Sequence, residues 1–196
     1  MNVFVLCTGR CGSHTFAKAG SHITNFTCEH ESRKGLLGSE RVAFPERHIE
    51  VDNRLSWFLG RLESRYGDSA YYVHLKRDPE EVARSYNQRW NKPKGIISAY
   101  RTGIVVSHEE LDPMAVSRDL VATMNENIEA FVATKTHRMT FRLENAREDW
   151  GQFWEWIGAE GSFGDSLEEW EVRHKATKVK NRGLLSFLGR RVPTTG

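Results

Sequence analysis

Residues 3–16, VFVLCTGRCGSHTF, constrain the fold more than any other stretch of the chain. A short apolar run leads into Gly9-Arg10-Cys11-Gly12 and then Ser13-His14-Thr15. This order reads as a buried strand, an anion-binding turn and a helix opened by Ser13. The glycines let the backbone curl around phosphate oxygens, the helix N-terminus offers free N–H groups, and Arg10 adds a charge-assisted donor. A plain turn with a serine cap would need neither Arg10 nor a second glycine. A nucleoside-triphosphate loop, GxxxxGK[ST], carries lysine just before its hydroxyl residue, and that position is Gly12 here. The loop is built for phosphate but lacks the centre of an ATPase or kinase.

Patterning along the chain gives strands at 2–7, 23–28, 47–53, 70–75 and 138–143, and helices at 13–20, 54–66, 79 to about 90, 114–133 and 146–158. Pro79 opens its helix, with Glu80 and Glu81 in the first turn. Residues 91–112 show no regular period, and a basic tail starts at about 173. Alternating strands and helices predict an α/β three-layer sandwich with a mainly parallel central sheet, its first strand in the middle. Ligands of such sheets sit at the carboxyl ends of the strands.

The 196 residues suffice for a single domain spanning 1–196. A net charge of +2 excludes a histone-like, nucleic-acid-coating protein, so any basic site is local. Cys7, Cys11 and Cys28 form no CxxC and no metal pattern, which predicts a reducing compartment, and Cys11 reads more readily as buried filler than as a nucleophile. The first strand starts at residue 2 or 3, leaving no space for a leader, and no apolar run is long enough for a membrane span. These features predict a cytoplasmic protein without membrane insertion. No carboxylate pair has convincing spacing for a metal ion.

A second motif, YYVHLKRDPEEVARSYNQRW at 71–90, places Arg77 at the end of a strand and Ser85 eight residues on, inside the next helix. The two can reach one anion together. With the first loop, this motif resembles the cofactor loops of the sulfotransferases that use 3′-phosphoadenosine 5′-phosphosulfate (PAPS). TGRCGSHTF is similar to their carbohydrate-type variant, where arginine replaces lysine, and RDPEEVARSY is close to the family's form. The resemblance implies a P-loop NTPase-like sulfotransferase fold. It implies that Arg10, Cys11, Gly12, Ser13, His14 and Thr15 hold the 5′-phosphosulfate, and that Arg77 and Ser85 hold the 3′-phosphate. Weaker similarity continues through CEHESRKGL, HIEVDNRLSWFL and MTFRLENAREDWGQFWEWIG. The family's glycine- and lysine-containing closing loop has no match. Lys175, Lys178, Lys180 and Arg182 of the tail either cover the nucleotide or form a solvated basic tail.

The implied reaction moves the sulfuryl group of PAPS to a hydroxyl or amine of a glycan or small molecule, leaving 3′-phosphoadenosine 5′-phosphate (PAP). Arg10 would stabilise the leaving phosphate. Glu31 is the preferred base and His30 the second choice, since both follow the second strand where the family places its acceptor side. His48, Glu50 and Asp52 alternate on one face of the third strand, a face expected to look into the cleft or onto an edge, and His48 or Glu50 is the fallback. His108, Glu109 and Glu110 read as solvated. Aromatic residues between 86 and 100 line either a sugar site or the core. A PAP-binding module without transfer activity and a small-molecule kinase are the competing readings.

Overall fold

The computed structural model describes residues 1–107 and 109–172. Five strands, β1 (Val3–Cys7), β2 (Thr27–His30), β3 (His48–Val51), β4 (Tyr71–Lys76) and β5 (Arg138–Arg142), form one sheet in the order β2-β3-β1-β4-β5. Every pairing is parallel, with Val3 opposite both Ile49 and Tyr71. β1 is central and wholly buried, which is why it reads as a continuous apolar run.

The two faces of β1 feed two cores. Val3, Val5 and Cys7 join Phe16 and the aromatic side chains of the C-terminal half, while Phe4 and Leu6 join Leu55, Leu62, Tyr72 and Ile128. One outer layer holds α1 (Ser13–Gly20), and the other holds α2 (Leu59–Tyr66). Next come α3 (Pro79–Asn87), the short α4 (Ile96–Ala99) and α5 (Pro113–Val132), the last packed on β1, β4 and α3. α6 (Ala146–Trp156) and α7 (Phe163–Glu168) complete the α1 layer. The expected three-layer sandwich is therefore present, with a sheet that is parallel throughout.

Several boundaries move. The second strand begins at Thr27 rather than residue 23, because pairing with β3 starts at Thr27 opposite His48, while Ile23 bridges Gly161 instead. The segment expected as one helix over 54–66 breaks at Phe58: Asp52 Oδ1 accepts from Arg54 N at 2.7 Å and closes a 3₁₀ turn over Asn53–Trp57 before α2 starts. Ser13 is the first residue of α1 rather than its cap. Gly12 occupies the cap position at φ 93°, with no side-chain cap bond. The stretch 91–112 contains α4 running into a π turn over Tyr100–Val105, anchored where the Tyr100 hydroxyl donates to Asp119 at 2.5 Å. His108 and the tail with Lys175, Lys178, Lys180 and Arg182 lie outside the described residues.

Candidate functional site

The β1–α1 loop takes its shape from three residues with positive φ, Gly9 at 75°, Arg10 at 62° and Gly12 at 93°. A Cβ on Gly9 would lie 2.8 Å from the Tyr86 hydroxyl oxygen, and one on Gly12 would lie 2.7 Å from Leu143. Both glycines are thus required by conformation and by close approach. Tyr86 of α3 donates to Thr8 O at 2.5 Å and clamps the loop from below; burial pushes its hydroxyl far up. Behind the loop, Phe16 meets Phe141, Trp150 and Phe153 edge-on at 5.0–5.1 Å, which fixes the axis of α1. The first-turn N–H groups of α1 then point to the carboxyl edge of the sheet. Cys11 is fully buried against Cys7. Their shared hydrogen bond pushes Cys7 up and Cys11 down, but neither sulfur has exposed surface, so Cys11 fills space as expected.

Arg10 is the hub. Its Nε donates to Ser85 Oγ at 3.0 Å, and its carbonyl accepts from Arg77 Nη1 at 3.1 Å. The two sequence motifs, 75 and 67 residues apart from Arg10, therefore meet at one point. Burial lowers the Arg10 guanidinium pKa, and the nearby Arg89 and Arg77 cations lower it further. Positive groups pressed together at the carboxyl ends of β1 and β4, beside a helix N-terminus, form a site that an anion relieves. Arg77 also faces the exposed Glu81 at 3.4 Å.

On the β2 side, His30 Nε2 lies 3.2 Å from Ser13 Oγ, and its ring meets His14 at 5.5 Å. Glu31 follows at φ 52°, its carboxylate 2.7 Å from Arg54 Nη1 and 3.5 Å from Lys34. Both candidate bases thus stand at the carboxyl end of β2, His30 against the loop and Glu31 one step outward. A cleft of about 270 Å³ begins at Arg54.

His48, Glu50 and Asp52 correct the expectation of a cleft- or edge-facing row: they are 1%, 0% and 0% exposed. The segment 38–45 covers them, with Phe44 stacked on His48 at 5.2 Å. Their polar atoms are matched internally. Glu50 accepts from Ser32 N at 2.8 Å and Ser32 Oγ at 2.6 Å, and meets His48 Nε2 at 3.0 Å. Thr27 Oγ1 meets the other ring nitrogen of His48 at 2.7 Å, and Arg41 pairs with Asp52 at 2.6 Å. Glu29, in register with Glu50, brings a carboxylate within 4.8 Å of both His48 and Glu50, the one such grouping among the described residues. Nothing buried this way reaches a substrate, so His48 and Glu50 are removed as fallback bases.

Sequence reasoning missed Asn53, Arg54, Tyr86 and Arg89. Arg89 was legible: it lies four residues past Ser85, one turn on in the helix the sequence predicts to about residue 90, although α3 itself ends at Asn87. Asn53 touches the position of a Gly9 Cβ at 3.0 Å only because β3 lies beside β1, a pairing the sequence does not announce.

No protein-family model matches the chain, and no curated protein does. Among solved structures, the chain is similar to the sulfotransferase domain from the curacin biosynthetic pathway, with a TM-score of 0.61 and 15% identity over 84% of this chain and 75% of that one. The five-stranded parallel sheet, the glycine loop and the neighbour agree on one architecture: the chain has a sulfotransferase-like fold.

Proposed function

We propose that the chain is a PAPS-dependent sulfotransferase acting on a hydroxyl or amine of a glycan or small molecule. The observation that carries this reading is the junction at Arg10. Residues from the first loop and from the Arg77–Ser85 motif are hydrogen-bonded to one another, so a nucleotide with a 5′-phosphosulfate and a 3′-phosphate would be gripped at both ends by one connected cationic set. The chemistry of the donor groups fits: arginine forks and hydroxyls suit phosphate oxygens.

Catalysis on this reading is positioning and charge stabilisation. The acceptor oxygen or nitrogen forms a bond to sulfur as the bond from sulfur to the 5′-phosphate oxygen breaks. That electron pair leaves on the phosphate, where Arg10 and the first-turn N–H groups of α1 meet it, and the acceptor proton passes to Glu31 or His30. PAP is the product. Ser13 and Thr15 add hydroxyl donors at the leaving side.

Thermal unfolding with ligands tests the reading, since a ligand bound only by the folded state stabilises it. PAP should raise the midpoint, and ATP with Mg²⁺ should do so weakly. Equal shifts would point to a kinase-like nucleotide site and overturn the proposal.

A further inference from the structure

Asn53 stands just past the carboxyl end of β3, in backbone that its neighbours hold fixed. Asp52, itself paired with Arg41, accepts from Arg54 N at 2.7 Å and closes the 3₁₀ turn that Asn53 begins. Ser56 Oγ donates to Cys7 O at 3.2 Å and ties that turn to the end of β1. The Asn53 side chain lies against the anion loop: its Nδ2 and Cγ are 3.0 and 3.2 Å from where a Gly9 Cβ would be. Gly9 leaves the space that this carboxamide needs.

Asn53 is 7% exposed, and among the described residues its carboxamide has no hydrogen-bonded partner. Buried amides are nearly always matched, because leaving one unmatched costs the water it gave up. The neighbouring His48, Glu50 and Asp52 are all matched. An unmatched donor, rigidly held beside a phosphate-type loop, suits an oxygen that arrives with the ligand.

The sheet order indicates which oxygen. β3 lies between β1 and β2, whereas Arg77 and Ser85 approach the loop from the β4 side. Asn53 is therefore on the acceptor side of the loop. The next residue, Arg54, reaches Glu31 at 2.7 Å, so Asn53 stands between the loop and the candidate bases. On transfer the sulfuryl group crosses that gap, while the 5′-phosphate stays in the loop.

We infer that Asn53 is a further catalytic residue, its Nδ2 donating to an oxygen of the sulfuryl group in bound PAPS and as that group passes to the acceptor. Asn53 gains and loses no proton. This rests on the sulfotransferase reading above. PAP has lost the sulfuryl group and cannot make the contact.

Calorimetry on the full chain with PAPS and with PAP, in the absence of acceptor, separates this contact from the rest of the nucleotide site. Asn53→Ala should weaken PAPS by about tenfold or more, the scale of a hydrogen bond to a charged group, and leave PAP within about twofold. Asn53→Asp keeps the shape and sets a carboxylate against an anion, so it should weaken PAPS more than PAP. A merely structural role would move both nucleotides alike. Equal losses on the two nucleotides, or no loss on PAPS, overturns the assignment of Asn53 and leaves the sulfotransferase reading standing. If the wild type fails to bind PAPS or PAP, the sulfotransferase reading falls, and this inference with it.

Discussion

The two halves of the sheet's carboxyl edge treat charge in opposite ways. Around β3, buried charged side chains pair or hydrogen-bond with near neighbours: Arg41 with Asp52, and Glu50 with His48 and Ser32. Around β1 and β4, Arg10 is held by a serine and lies among further arginines, and its pKa is lowered first by burial and then by Arg89 and Arg77. Matched buried charge holds a structure together. Like charge gathered at a helix N-terminus costs stability, and a bound anion would offset that cost. On the proposed function, the difference separates scaffold from site.

The largest effect that could break this comparison is at Arg41. Removing it by Arg41→Ala strands the buried Asp52 carboxylate, whose pKa burial already raises. Urea unfolding should show a loss of about 3–5 kcal/mol. A loss under about 1 kcal/mol would mean that water reaches the pair and that the β3 side is no more sealed than the β1 side.

A third treatment of charge appears at His74 on β4, which is 2% exposed, meets Asn125 Oδ1 at 3.1 Å and has its pKa pushed down to about 4 by burial. Here the fold discharges the group instead of pairing it. Below about pH 6.5 the unfolded chain takes up a proton that the folded chain refuses until about pH 4. Stability from this residue is therefore complete above the higher value and declines by about 3 kcal/mol as pH falls through that window. Comparing unfolding of the wild type and His74→Gln between those pH values isolates it. A variant with the same slope as wild type would show that His74 is charged in the fold.

Turnover sharpens the comparison on the acceptor side. Glu31→Gln should leave PAP affinity nearly intact and slow transfer by about 10²-fold, the usual size of a general-base contribution. If His30→Ala does this instead, the base is the residue touching Ser13. If neither changes turnover, the carboxyl end of β2 is scaffold, like β3.

The smallest effects concern the cationic hub. Arg77→Ala should weaken PAP by about ten- to a hundredfold, or about 1.5–3 kcal/mol. AMP, which lacks the 3′-phosphate, should lose less, and its loss should be measurable because Arg77 also ties the Arg10 carbonyl. Calorimetry with both nucleotides decides, and equal losses would make Arg77 a purely structural residue. In the nucleotide-free chain, Arg10→Gln should change unfolding stability by no more than about 0.5 kcal/mol, as for a surface change, since relief of cation crowding offsets the lost Ser85 bond. A loss like that at Arg41 would erase the distinction between the two halves.

Much of this was written in local sequence. β1, α1, β4, α3 and α5 are legible because their apolar spacing, capping residues and prolines act within a few residues of themselves. The loop glycines announce their own conformation, and Arg77 and Ser85 can be paired through helix geometry alone. Tertiary structure decided what depends on neighbours distant in the chain. The period of HIEVD shows polar residues on one face of β3. Only the packing of Phe44, Thr27 and Ser32 over that face turns it from a candidate cleft into a sealed network. Likewise, nothing in the spacing of Arg10, Arg77 and Ser85 shows that they touch. That contact exists because β4 pairs beside β1, bringing α3 over the loop, and strand pairing is a long-range choice that no single segment encodes.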